Sequence, residues 1–191
     1  MDSSYFTNPL VFLVQVIFGL YALIVMLRFL LQIVRADFYN PLSQFIVKVT
    51  SPVLNPLRKV VPSVGGKDTA SLVLAWLVLT IELMLTFLIL GQGPQPLMSL
   101  LMAVPKLLEL VINIFLFSIL IQVIISWVSP GNYNPAIGVI HSLTEPLLGP
   151  ARRVIPPIGG IDLSPMAVMI GLYLLQMLLI PPVQSLMMSL A

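Results

Sequence analysis

The sequence predicts an all-α membrane protein in which four transmembrane helices form two tandem helix–loop–helix repeats. Each loop is expected to carry a short amphipathic helix at the membrane interface. Composition is the first reason: the 191 residues are 59% hydrophobic and 8% charged, with a mean hydropathy of +1.07, whereas soluble domains carry about 25% charged residues. The second and third reasons are four long apolar stretches and a sequence repeat at an offset of 94 residues.

The four predicted spans cover about residues 9–34, 69–90, 105–128 and 165–187. Each is close to the roughly 20 residues that a helix needs to cross about 30 Å of hydrocarbon. The third span starts earlier if Pro105 only kinks it, and the fourth either ends or bends at Pro181-Pro182. The repeats are therefore residues 1–94 and 95–191, with loops at 35–68 and 129–164.

Basic residues are concentrated at one end of the predicted spans. Eight of the nine lie in the two loops or near the loop end of the first span: Arg28, Arg35, Lys48, Arg58, Lys59, Lys67, Arg152 and Arg153. Because loops rich in lysine and arginine stay in the cytoplasm, we expect both loops to be cytoplasmic and both termini to lie on the opposite side.

The repeat is densest in the loops. Fourteen of thirty positions from 39 to 68 are identical to positions 133–162, without a gap. The shared pattern begins with Tyr-Asn-Pro, continues through Thr-x-Pro-x-x-x-Pro-x-Arg, and ends with Pro-x-x-Gly-Gly-x-Asp. Since two helices separate equivalent points, both copies should have the same orientation in the membrane.

Each loop combines helix signals with helix breakers. Asn40-Pro41 is a typical cap and first residue of a helix, and Leu42, Phe45, Ile46 and Val49 predict an apolar face. Prolines four residues apart then predict only one or two further turns before the chain becomes extended, and paired glycines permit a tight reversal. Such a segment suits the headgroup layer.

The basic pairs in these loops are candidate binding residues for lipid phosphate or for an acidic partner surface: Arg58, Lys59, Arg152 and Arg153. The alternative is that they only set topology and anchor the interface. The fixed proline and glycine frame favours binding, because topology requires charge without requiring a rigid loop.

Two charged residues within the spans of the first repeat have polar counterparts in the second. The offset of 94 carries Arg28 onto Gln122 and Glu82 onto Gln176, so the second repeat loses both charges together. Since a lone charge in lipid is costly, we predict that Arg28 pairs with Glu82 and that Gln122 and Gln176 form a neutral counterpart. These contacts would join helices; alternatively, the four residues line an ion or proton path.

Several classes of function find no support in the sequence. The chain has no cysteine and a single histidine, His141, and it shows no phosphate-binding glycine loop, nucleophile triad or metal-ligand cluster. We therefore expect a protein that is not an enzyme, without a metal or other cofactor, and without a nucleic-acid partner.

The doubled loop pattern, closing in the second copy with Ile161-Asp162-Leu163-Ser164-Pro165, resembles the YggT family of bacterial membrane proteins. The resemblance covers nearly the whole chain and implies a location in the bacterial inner membrane, where the orientation expected from the basic residues makes both termini periplasmic. It also implies links to osmotic tolerance and ion homeostasis, to cell division or nucleoid organisation, and, in chloroplast relatives, to haem attachment.

Two functions follow from these observations. The first is a protein that organises anionic lipids, a membrane-protein partner or further copies of itself through its basic loops, and so supports envelope or osmotic physiology. The alternative is a small channel or transporter subunit, which would need an oligomer because four helices enclose little space.

Overall fold

The computed structural model describes residues 4–128, 134–157, 159–160 and 162–191. They form six helices: α1 (Ser4–Ile33), α2 (Pro41–Leu57), α3 (Thr69–Ile89), α4 (Pro96–Val128), α5 (Pro135–Val154) and α6 (Ser164–Leu190). Four of these, α1, α3, α4 and α6, are long and apolar enough to cross a membrane. The all-helical fold with four candidate spans is therefore confirmed.

Prolines within the spans do not end the helices. α4 begins at Pro96, so Pro105 lies inside it, and α6 continues through Pro181 and Pro182 to Leu190. Transmembrane helices tolerate such prolines where other groups satisfy the freed backbone.

The spans pack as an open row in the order α1, α3, α4, α6. Within each repeat the two spans pack on each other, α1 on α3 and α4 on α6, while α3 and α4 join the repeats. No contact between α1 and α6 occurs in the described part of the chain. The row therefore has two outer helices, and their exposed apolar faces suit lipid.

α2 ends at Leu57, after the two further turns that the sequence predicts, whereas α5 continues about one turn beyond that point, to Val154. α2 runs through Pro52 and Pro56, and α5 runs through Pro146 and Pro150. All four prolines are exposed, so the carbonyls that lose a partner, such as that of Lys48, lie on the outer side of the helix. Water or headgroups can satisfy them there, which lets both helices continue through their prolines.

α2 has one face against the spans and a second apolar face outside. Its buried residues are Ser43, Ile46, Thr50 and Leu54. The predicted apolar face is thus only partly buried, because Leu42 and Phe45 are exposed. Exposed apolar residues beside polar ones such as Gln44 are what a helix at a membrane surface presents.

Both loops lie at the same end of the spans. The side chains of Asn40 and Asn134 accept hydrogen bonds from the amides of Leu42 and Ala136, at 2.9 and 3.0 Å, which confirms the predicted cap of α2 and shows its counterpart in α5. Asn40 also donates to the carbonyl of Pro135 at 2.6 Å, which ties α2 to α5. Tyr133 and Ile161 of the repeated pattern lie outside the described residues.

Candidate interfacial site

The segment from α2 to α3, residues 58–68, folds into a turn that we call the first elbow. Arg58 donates from Nε to Asp68 Oδ1 at 3.2 Å and from Nη2 to Oδ2. Asp68 also accepts from the hydroxyl of Ser71 at 2.6 Å. Arg58 therefore closes the elbow onto the start of α3.

A side chain from α1 fastens the same elbow. Gln32 Oε1 accepts from the amide of Asp68 at 3.0 Å, and Gln32 Nε2 donates to the carbonyl of Gly66 at 3.4 Å. Gly65 and Gly66 have φ values of +60° and +73°, which residues that carry a Cβ rarely adopt. The paired glycines thus permit the turn that brings Asp68 back to Arg58.

Residues 152–162 form the second elbow, in which Ile158 and Ile161 lie outside the described residues. Arg152 Nε donates to Asp162 Oδ2 at 2.9 Å, as Arg58 does to Asp68. Arg152 Nη1 also binds Glu145 at 2.9 Å, and His141 Nδ1 lies 3.6 Å from the same carboxylate. The closing ion pair is therefore common to both repeats, and the Glu145 contact belongs to the second.

The two members of each basic pair have different environments. All four side chains are exposed, but the first member, Arg58 or Arg152, forms an ion pair with an aspartate that closes its elbow. Neither Lys59 nor Arg153 has a hydrogen-bond partner among the described side chains. The predicted binding role therefore suits Lys59 and Arg153 directly, and the arginines that precede them also hold the frame.

The carboxylates of the elbows have perturbed pKa values. Burial raises the pKa of Asp68, but hydrogen bonds from Arg58 and Ser71 lower it more, so the net pKa lies below the ordinary range. At Asp162 burial likewise raises the pKa, and bonds from Ser164 and Arg152 bring it below the ordinary range. The hydrogen bond to Asp68 raises the pKa of Arg58. Both ion pairs are therefore charged near neutral pH.

This gives an expected pH dependence. Because the folded pKa of each aspartate is lowered, its stabilisation is present above the unfolded pKa of about 3.9 and is lost as the pH falls through the folded value. From pH 7 to about pH 5, we expect the melting temperature of the wild type to exceed that of the double variant Asp68→Asn with Asp162→Asn. The difference between the two melting temperatures should disappear as the pH falls below about 4. A gap of constant size down to pH 2.5 would contradict this reading.

Arg28 lies in the loop-side part of α1, only 8% exposed, and contacts α2. Its Nη1 donates to Thr50 Oγ1 at 2.6 Å, to Ser51 Oγ at 3.1 Å and to the carbonyl of Val47 at 3.2 Å. In the second repeat Gln122 accepts from the hydroxyl of Thr144. Arg28 and Gln122 are therefore equivalent, and each docks a loop helix through a threonine.

The predicted pair between Arg28 and Glu82 is wrong. Lys106 of α4 donates to both carboxylate oxygens of Glu82, at 2.5 and 2.7 Å. At about 1.5 Å per residue, Arg28 lies about 8 Å from the loop end of α1 and Glu82 about 20 Å from the loop end of α3. That offset is too large for an arginine whose side chain points toward α2.

The predicted neutral pair of Gln122 and Gln176 is also wrong. Gln176 Nε2 donates to Glu109 of α4 at 3.3 Å. The four polar residues thus form two groups. Arg28 and Gln122 bind the loop helices, whereas Glu82 of α3 and Gln176 of α6 bind residues of α4. Each makes a contact between helices, which agrees with the simpler reading that these residues join helices.

Two contacts escaped the sequence reading although the repeat contains a signal for each. Thr50 and Thr144 are identical under the offset, as are Arg58 and Asp68 with Arg152 and Asp162. Polar identities kept at both copies could have indicated the threonine contacts and the closing ion pairs. The pair of Glu82 with Lys106 joins different repeats, so the offset carries no trace of it.

Comparison with known proteins agrees with this organisation. The CCB3/YggT family model matches twice, at residues 7–89 and 101–183. Uncharacterized protein PA0392 of Pseudomonas aeruginosa is 47% identical over 172 residues, 89% of this chain and 87% of the relative. Uncharacterized protein YggT of Escherichia coli K12 is 39% identical over 170 residues, 89% and 88% of the two chains. No solved structure matches the chain. With both repeats matched, the chain belongs to the CCB3/YggT family.

Proposed function

We propose that the chain is a non-enzymatic protein of the bacterial inner membrane that gathers anionic lipids around its two elbows. In this arrangement the loops face the cytoplasm, the termini face the periplasm, and lipid organisation supports envelope and osmotic physiology. The observation that carries the proposal is a difference within each basic pair: the arginine that comes first is held by an aspartate, whereas the exposed residue after it has no partner among the described side chains.

Position supports the proposal. The elbows follow α2 and α5, which meet at one end of the spans, and α2 presents Leu42 and Phe45 outward. A helix with an exposed apolar face lies at the boundary between headgroups and hydrocarbon. Lys59 and Arg153 then sit at headgroup level, where each basic residue contributes about 1 kcal/mol of attraction to an anionic leaflet.

Rigidity supports it as well. Each elbow is closed by an ion pair between its first and last residues, Arg58 with Asp68 and Arg152 with Asp162. A preformed loop loses little conformational entropy on binding. The exposed cations are therefore held in place before lipid arrives, which a topology signal alone does not need.

The test is lipid enrichment around the reconstituted full chain. Trp127 lies in the last turn of α4, at the loop end, and is exposed. Trp76→Phe leaves Trp127 as the single tryptophan. In vesicles of phosphatidylcholine with a minor fraction of phosphatidylglycerol, energy transfer from Trp127 to a pyrene-labelled anionic lipid should then exceed transfer to a neutral one. Substitution of Lys59→Gln with Arg153→Gln should lower that preference about fivefold at each elbow, because each elbow loses one charge that contributes about 1 kcal/mol.

A control variant changes polar residues at the other end of the spans, Gln92→Ala with Gln95→Ala, and should leave the preference unchanged. An anionic preference that survives loss of both cations would overturn the proposal. Photo-crosslinkers at residues 59 and 153 in cells separate the remaining possibility. Capture of a protein in place of lipid would assign the elbows to a partner.

A further inference from the structure

The first elbow borders a cavity of about 280 Å³ that is open on one side and is lined by Gln32, Arg58, Val61, Ser63, Gly66 and Asp68. Its walls come from the last turn of α1, from the elbow, and from the residue that precedes α3. The ends of two spans meet there, so the cavity lies at the height where the headgroups of the surrounding lipid begin.

The cavity has unused hydrogen-bond donors. Arg58 donates from Nε and Nη2 to Asp68. Its Nη1 has no acceptor among the described residues. The hydroxyl of Ser63 and the amide of Gly66 likewise make no hydrogen bond within the described structure. The lining therefore offers a guanidinium edge, a hydroxyl and a backbone N–H.

The acidic residue in the lining is already satisfied. Asp68 accepts from Arg58 and Ser71, its side chain is only 9% exposed, and its amide donates to Gln32. A ligand thus meets donors, and the only carboxylate in the lining is neutralised by Arg58. Charge-assisted donors of this kind select an oxyanion, and arginine in particular selects phosphate.

The second elbow has the same closing ion pair and glycine pair, but it lacks two of these three donors. Under the offset, Pro157 stands in place of Ser63 and Ser126 in place of Gln32. Glu145 stands in place of Ser51 and binds Arg152. The first loop, 35–68, has five basic and two acidic residues, a net charge of +3; the second, 129–164, has two of each, a net charge of zero.

We infer that the first elbow binds one phosphate group, that of an anionic phospholipid headgroup, and that the second elbow does not. The inference rests on the proposed position of the elbows in the headgroup layer. Arg58 Nη1, Ser63 and Gly66 hold the phosphate oxygens, Gln32 keeps the glycine turn in place, and the acyl chains run into the lipid beside α1 and α3.

The test transfers features of the second elbow to the first. Ser51→Glu is introduced in an Arg28→Gln background, which copies Gln122, because Arg28 donates to Ser51 Oγ at 3.1 Å and would otherwise bind the new carboxylate. The carboxylate then stands seven residues before Arg58, the spacing at which Glu145 binds Arg152. Ser63→Pro removes a donor with no change of charge and copies Pro157. The matched control is Glu145→Ser, which removes a carboxylate from the second elbow.

Native mass spectrometry of the full chain, released from detergent with phosphatidylglycerol or phosphatidic acid, measures occupancy of a first tightly bound lipid. We expect one such lipid on wild type, at least tenfold weaker binding for Ser51→Glu, about threefold weaker binding for Ser63→Pro, and no weakening for Glu145→Ser. Equal affinity of wild type and both first-elbow variants would overturn the inference. If Ser51→Glu does not fold, the charge-neutral Ser63→Pro decides alone.

Inorganic phosphate is the second arm. Millimolar phosphate should leave the bound lipid in place; phosphate that binds the chain by calorimetry and displaces the lipid would assign the cavity to a free anion. The energy-transfer assay keeps the two proposals apart. Ser63→Pro should not change enrichment around Trp127, whereas loss of Lys59 and Arg153 changes enrichment and leaves the cavity intact.

Discussion

Lys106→Met is expected to lower the free energy of unfolding by about 3 to 5 kcal/mol, the cost of leaving a buried charge without its partner. Glu82 is 1% exposed and receives both of its short hydrogen bonds from Lys106, which is itself 34% exposed. Without the ammonium, the carboxylate must be neutralised or hydrated inside the row of helices. Thermal unfolding in nanodiscs, followed by tryptophan fluorescence, measures the loss.

A second substitution in the same pair should restore most of it. Glu82→Gln with Lys106→Met removes both charges, and replacing a whole buried pair is often close to neutral. Glu109→Gln, at a half-buried carboxylate of α4, is the control and should cost less than 1 kcal/mol. If the double variant is as unstable as Lys106→Met alone, the pair is not what joins α3 to α4.

The exchange Arg28→Glu with Glu82→Arg tests the geometry from the other direction. Arg28 binds α2 and Glu82 binds α4, so reversing the charges creates no new pair. We expect the double exchange to be at least as unstable as either single variant. Rescue by the exchange would contradict the contacts described above.

Asp68→Ala is expected to cost about 2 kcal/mol and to open the first elbow. It removes a buried carboxylate that accepts hydrogen bonds from Arg58 and Ser71, and bonds to charged groups contribute about 1.5 to 3 kcal/mol each before solvent screening. Because Arg58 is 39% exposed and can return to water, the net loss falls toward the lower end. Hydrogen exchange of the amides from 58 to 68 measures the opening locally.

Asp162→Ala is the matched comparison. Its carboxylate is 41% exposed, and exposed ion pairs contribute about 1 kcal/mol or less. We expect faster exchange at the second elbow with a much smaller change in melting temperature. Equal losses at the two positions would show that burial of Asp68 does not decide the strength of its ion pair.

Much of the fold can be predicted from the sequence because the patterns that indicate each helix lie within a short stretch of residues. Long apolar stretches predict the spans, and Asn40-Pro41 predicts the start of α2 from two adjacent residues. The full length of α5 was missed because the effect of Pro146 and Pro150 depends on where their freed carbonyls point. That direction is a property of the packed helix.

The polar contacts within the membrane were harder to predict for a related reason. The joint change of Arg28 and Glu82 under the offset suggested one pair, but the two changes belong to separate contacts. The second repeat has Gln122 in place of Arg28, and each of these residues contacts a threonine that both repeats share. Glu82 contacts Lys106 in the other repeat, and which span adjoins which is decided by the order of helices in the row.

That order also limits how far the architecture can extend. The joint between the repeats is heterologous: one side of α3 meets a different side of α4, and the corresponding outer sides of α6 and α1 meet nothing in the described chain. Contacts of this type can in principle add units without end. Here the outer sides of α6 and α1 do not match in this way. Under the offset, Gln176 of α6 replaces Glu82, and Phe12 of α1 replaces Lys106. A third helix–loop–helix repeat packed on α6 or α1 would therefore lack the ion pair that joins α3 to α4. The duplication thus gives an assembly of two repeats that does not extend further.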